Sequence, residues 1–193
     1  MSLISPADVT VPVTVQGRTS LDQARAFAII VPMDLSLVFK GWGGIFPGVR
    51  GANNQTGSWD HVGASRNPDM SDGTTAVETL TEYTAPHSFA YELVAFTNIL
   101  GRLAAGVRGE WTFTPDGAGT VIRWTYEFMP RRGRAVVVRR FLAPLWRRYM
   151  ASAMTHTIVA TESIAAADLA RPGERINAED HAQPGPGDRP DDG

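Results

Sequence analysis

The sequence predicts an α+β domain: a first strand, two short helices, an antiparallel meander and one long C-terminal helix. Three observations predict it. Turn chemistry (NPDMSDG, TAP and PDGAG) cuts the middle of the chain into strand-like runs. A helical apolar period runs through residues 136–168. The size and composition, 193 residues with 43% hydrophobic and 20% charged, suit one core and exclude disorder throughout.

Taken in order, residues 9–16, VTVPVTVQ, alternate apolar and polar around a proline, which predicts an edge strand. Ser20 then stands as an N-cap before LDQARAFAIIV, with Asp22 in the first turn, and Pro32 stops that helix. Asp34 opens a second short helix, DLSLVFKGW, which the glycines of GWGGIFPG end. The meander runs from Val49 to Phe128. Its clearest hairpin pairs residues 109–114 with 120–128. There Trp111 and Phe113, then Ile122, Trp124, Tyr126 and Phe128, alternate with polar residues and make one face aromatic. Residues 94–103 read as a loop or short turn. In the last helix Leu142, Leu145, Trp146, Tyr149, Ala153, Thr157, Ala160 and Ile164 form one stripe, and Phe141 is assigned to the same buried side. Pro144 predicts a kink, or a separate first segment ending near Leu142.

The domain is expected to cover residues 1–170. Residues 171–193 hold four Pro, four Gly and six acidic groups against three Arg, and they predict a disordered acidic tail. The chain carries 18 basic and 20 acidic residues, so the body, with 15 basic and 14 acidic, is nearly neutral. That balance gives no expectation of nucleic acid. No apolar run is long enough to span a bilayer. The opening MSLISPADVTV lacks the features of a secretory signal, and the chain has no cysteine, so the expected compartment is the cytoplasm.

Two stretches carry a family resemblance. VGASRNPDMSDGTTAVETLTEYTAPHSFAYEL holds Gly63, Arg66, Asp72-Gly73, Glu78, Pro86 and Tyr91 in a familiar order, and GEWTFTPDGAGTVIRWTYEF adds Gly119-Thr120 after its turn. With the element order, these resemble the START-like (SRPBCC) helix-grip superfamily and its polyketide cyclase/dehydrase and lipid-transport group, over roughly residues 9–167. The resemblance implies a helix-grip fold, in which a curved antiparallel sheet wraps the long C-terminal helix and leaves a cavity. What that cavity holds differs among members.

Phe89, Tyr91, Trp111, Phe113, Trp124, Tyr126, Trp146 and Tyr149 fall at positions whose period puts them inside, and with Val62 and Leu80 they are the expected ligand-binding residues. Glu78 is the most interesting acid. A symmetric turn over residues 67–73 sets Val62 opposite Glu78, with Ala64, Ala76 and Leu80 on the same face, and the carboxylate then points inward. An inward carboxylate needs a raised pKa or an arginine beside it. His156, one heptad after Tyr149, is the second candidate acid/base group; His87 and His61 are isolated. No histidine pair has metal-ligand spacing and GWGGIFPG does not open a GxGxxG pattern, so neither metal nor cofactor is expected.

Arg131, Arg132, Arg134, Arg139, Arg140, Arg147 and Arg148 crowd 18 residues, and no acid lies between Glu127 and Glu162. This patch is either a solvated helix face or a contact for an anionic partner: a membrane surface, an acyl-carrier protein or the acidic tail. Three functions therefore stand. The leading one is a module that binds a polyketide-, lipid- or isoprenoid-like molecule. The second is an aromatase/cyclase-type enzyme in which Glu78 or His156 moves a proton. The third is a partner-binding protein using the arginines. The expected state is monomer or homodimer.

Overall fold

In the computed structural model, which describes residues 9–170, β1 (Val11–Thr19) leads into α1 (Gln23–Ile30) and α2 (Leu35–Val38). The meander follows: β2 (Val49–Asn53), β3 (Ser65–Met70), β4 (Val77–Thr84), β5 (Ser88–Val94), α3 (Leu100–Leu103), β6 (Ala104–Asp116) and β7 (Gly119–Pro130). After it come α4 (Ala135–Val137), a π-helical turn (Val138–Leu142) and α5 (Ala143–Leu169). The seven strands form one antiparallel sheet in the order β1-β7-β6-β5-β4-β3-β2, curled into a half-barrel. The concave face grips α5. The predicted acidic tail lies outside the described residues.

β1 is an edge strand, as its internal Pro12 requires, since that residue has no N–H to give a second neighbour. Two details of the helices differ from expectation. Asp22, not Ser20, caps α1, accepting from the Arg25 amide at 3.0 Å. Ser20 is taken instead by Glu162 of α5, to which its backbone N and Oγ donate at 3.1 and 3.2 Å. α2 is only four residues long, because the chain leaves helical geometry at Phe39 before reaching the glycines.

Pro144 marks the break in the C-terminal helix. It has no N–H to donate to the Arg140 carbonyl, and the turn just before it, Val138–Leu142, widens into π geometry. Phe141 consequently points out. It is 67% exposed, against the expectation that it joined the buried stripe. Further along, α5 buries Thr157 and Thr161, whose hydroxyls donate back to the carbonyls of Ala153 and Thr157 at 2.9 and 2.7 Å. Self-satisfied in this way, both threonines pass as core residues. Residues 94–103, read as a loop or short turn, contain the single helical turn α3.

Candidate ligand cavity

β5, β6 and β7 stand side by side, and their inward residues form rungs across the concave face. One rung is Phe89, Trp111 and Trp124, paired by register. Its rings stack flat: 5.9 Å and 7° between Phe89 and Trp111, 4.8 Å and 18° between Trp111 and Trp124. The next rung is Tyr91, Gly109 and Tyr126. A Cβ on Gly109 would stand 2.2 Å from Cζ of Tyr91, so the tyrosine ring lies over ground that only glycine leaves free.

A cavity of about 280 Å³ opens above this second rung. Leu142, Leu145, Trp146 and Tyr149 of the C-terminal helix form one wall. Phe39, Ile45, Phe46 and Pro47, which follow α2, form another, and Phe96, Ile99, Leu100 and Leu103 from the β5–β6 connection form a third. Polar groups are few: Asp72, Glu78, Asn98 and the tyrosine hydroxyls. A smaller void of about 40 Å³ adjoins it toward α1, and Leu35, Phe39, Glu78 and Tyr91 line both.

Glu78 is therefore placed at the inner end of the cavity, 4% exposed. Arg66, its register partner on β3, lies with Nε 2.5 Å from Oε2, and the guanidinium stacks 4.0 Å from the centre of the Trp59 ring. The pair is closed on both sides. Beside it Tyr91 Oη accepts from Trp124 Nε1 at 3.1 Å. Burial, with the Glu78 charge nearby, pushes the Tyr91 phenol well above its ordinary range. Burial raises Tyr126 likewise, and its hydroxyl has no hydrogen-bond partner among the described residues. Tyr149, also raised by burial, donates to the Pro47 carbonyl at 2.8 Å and ties the C-terminal helix to the loop that walls the cavity. The site thus offers an apolar space, phenols that burial keeps neutral, the Glu78 carboxyl group tied to Arg66, and exposed Asp72 tied to Thr74.

The family profile described as polyketide cyclase/dehydrase and lipid transport matches residues 12–162, most of the chain. This protein belongs to that family. The START-like (SRPBCC) helix-grip superfamily is thereby also its own. No curated protein sequence matches the chain. Solved structures agree on the fold. Ara h 8.0201 superposes with a TM-score of 0.61 at 9% identity, covering 80% of this chain and 99% of its own. The protein XoxI from Bacillus cereus gives 0.59 at 10%, covering 80% and 97%. Ginseng major latex-like protein 151 from Panax ginseng gives 0.57 at 13%, covering 78% and 96%.

Within this polyketide cyclase/dehydrase and lipid-transport domain, the expected site residues separate into groups. Glu78, Tyr91, Tyr126, Trp146 and Tyr149 line the main cavity. Phe89 and Trp111 line only the smaller void. Leu80, Phe113 and Trp124 are buried but line neither; Phe113, for example, packs on Phe27 with ring centres 5.2 Å apart. Val62 is a correction. The β3–β4 turn is not centred on residues 67–73, because β3 runs on to Met70, and Arg66 instead of Val62 faces Glu78. Val62 is 60% exposed.

His156 is a second correction. Its ring lines neither space, and Nδ1 sits 3.1 Å from the Val38 carbonyl, holding α2 against α5. His87 is exposed, with Nδ1 3.1 Å from Gln23 Nε2, and exposed His61 pairs with its neighbour Asp60. Among the described residues no group of three His, Asp or Glu is placed to hold a metal, and no helix is long and apolar enough to cross a membrane.

Sequence reasoning missed Arg66 as the partner of Glu78, and it missed Gly109. The second was signalled: Gly109 interrupts the alternation of VRGEWTF, and a glycine inside a strand marks close approach of another group. Phe39, Phe46, Phe96 and Ile99 lie in loops, where no period marks an inward side.

Proposed function

We propose that this protein binds one hydrophobic or amphipathic small molecule, polyketide-, lipid- or isoprenoid-like, in the cavity above the Tyr91–Gly109–Tyr126 rung. The observation that carries the reading is the cavity beside the second rung of the aromatic ladder. A glycine stands where the neighbouring rung has a tryptophan, the Tyr91 ring lies over it, and the space beyond is walled by apolar side chains from three separate segments. Burial of apolar ligand surface supplies the affinity at roughly 25 cal/mol per Å². The free Tyr126 hydroxyl orients a ligand oxygen.

Titration of the full chain with 1-anilinonaphthalene-8-sulfonate tests this. Saturation at one equivalent per chain is expected, with quenching of Trp146, identified by its loss in Trp146→Phe. Binding that never saturates would sink the reading. A cyclase-type reaction is the second reading, favoured by the Glu78 carboxylate at the inner end of the cavity. Glu78→Gln separates the two. Binding alone predicts a few-fold loss of affinity, whereas a general base predicts a fall in turnover of ~10²–10⁴ with affinity kept.

A further inference from the structure

We propose that the arginine-rich segment spanning residues 131–148 docks the mouth of the cavity on an anionic lipid surface. The argument starts from charge. All seven arginines of this segment are exposed, and none forms an ion pair among the described residues. No acidic residue interrupts the chain between Glu127 and Glu162. Arg139, Arg147 and Arg148 converge on one shallow groove against Pro12, Val13 and Thr14 of the β1 edge. Planar guanidinium groups collected in this way suit phosphate and carboxylate headgroups.

Position comes next. Arg131 joins the rim of the cavity: its backbone N donates to the Leu103 carbonyl at 2.9 Å and its Nε to the Gly101 carbonyl at 2.7 Å. Leu142 and Leu145, which line the cavity, alternate along the chain with the arginines at 139, 140, 147 and 148. The patch therefore meets the rim at Arg131 and continues over the outer side of the helical segment whose inner side lines the cavity.

Apolar exposure decides which anionic partner fits. Phe141, 67% exposed, is turned outward on the π-helical turn between Arg140 and Leu142, and Val136 is exposed to the same extent. Across the mouth Ile45 and Ile99 are 56% and 64% exposed while also lining the cavity. A soluble acidic protein would gather its apolar contacts into one buried patch, whereas here they stand singly among the cations and on both sides of the mouth. Cations interleaved with unpacked aromatic and branched apolar side chains match a lipid interface, where headgroups take the former and acyl chains the latter. The inference does not depend on what the cavity holds.

Co-sedimentation with vesicles of phosphatidylserine and phosphatidylcholine in equal parts, against phosphatidylcholine alone, is the test. Binding to the first and not the second is expected, and it should be lost in high salt. The quadruple variant Arg139→Gln/Arg140→Gln/Arg147→Gln/Arg148→Gln should weaken it more than a hundredfold, since each arginine contributes roughly fivefold, about 1 kcal/mol. Unchanged 1-anilinonaphthalene-8-sulfonate titration would certify that this variant is folded. Because the chain has no cysteine, Phe141→Cys gives a single position for an environment-sensitive dye, whose emission should shift to the blue on anionic vesicles. Equal binding to both vesicle types, no binding to either, or an unshifted dye would overturn the proposal. So would capture of an acidic carrier protein through the same arginines with the vesicles left unbound.

Discussion

Two neighbouring rungs of the same three strands end in opposite states. Phe89–Trp111–Trp124 carries three rings stacked flat and borders only the smaller void, and Phe27 of α1 packs against it, with ring centres 6.3 Å from Phe89. Tyr91–Gly109–Tyr126, two residues along, has only glycine at its centre, covered by the Tyr91 ring, and its two tyrosines face the cavity. Strand geometry and burial are the same in both. The difference is one side chain and what lies above it. α1 brings Phe27 and Ile30 to the first rung, while the second meets α5 through Trp146, whose ring centre lies 5.0 Å from that of Tyr126 beside the cavity. Core and binding site are thus continuous, and the boundary falls at the rung where glycine lets the Tyr91 ring lie down.

The filled rung gives the largest expected effect. Trp111→Ala removes the middle ring of the stack, and a buried aromatic cut to alanine costs ~3–5 kcal/mol. For a domain of this size that is a fall of roughly 6–20 °C in the thermal midpoint. Calorimetry checks it. A fall of only a degree or two would mean the rung collapses easily and is no better packed than its neighbour.

Gly109→Ala works in the opposite direction on the open rung and is smaller. The new methyl collides with the Tyr91 ring, which must swing into the cavity and give up the hydrogen bond from Trp124 Nε1. Overpacking of this kind costs ~1–3 kcal/mol. The sharper readout is affinity for 1-anilinonaphthalene-8-sulfonate, which should fall severalfold as the space shrinks. Unchanged affinity with a lowered midpoint would separate the glycine from the cavity and undo the comparison.

Much of this is legible in the sequence, and the exceptions lie where register, helical phase or a contact between distant segments decides. Periodicity placed Tyr91, Tyr126, Trp146 and Tyr149 inside because alternation in a strand and the helical repeat are properties of local sequence. It could not distinguish Trp124, which packs, from Tyr126, which lines a void, because both lie on one strand face. Val62 failed through register. A turn assumed symmetric displaced the pairing by four residues, so the side-chain face was kept for Glu78 while its partner was misassigned. Phe141 failed because a π turn changes the helical phase, and no propensity marks that except the proline three residues later. His156 lay on a partly buried face, but its partner is the backbone of α2, a contact between distant segments that local pattern does not encode.

The smallest expected effect concerns the one hydroxyl on the open rung that has no protein partner. Tyr126→Phe removes an oxygen without removing a protein hydrogen bond, so stability at neutral pH should change by less than about 1 kcal/mol. Alkaline pH separates the variant from the parent. Burial holds the Tyr126 phenol above its unfolded value near 10, so below that pH both states keep the proton and nothing is lost. Above it the unfolded chain releases a proton that the folded chain retains, and stability declines by about 1.4 kcal/mol per pH unit for this group. Tyr91 and Tyr149 add declines of the same sign. Urea unfolding at several pH values above 10 should therefore fall less steeply in Tyr126→Phe, by that one-proton slope. Parallel curves would mean that Tyr126 ionises as freely in the folded chain as in the unfolded one. The cavity floor would then be wet, and the contrast between the two rungs would be one of packing alone, without the dry interior that a hydrophobic ligand requires.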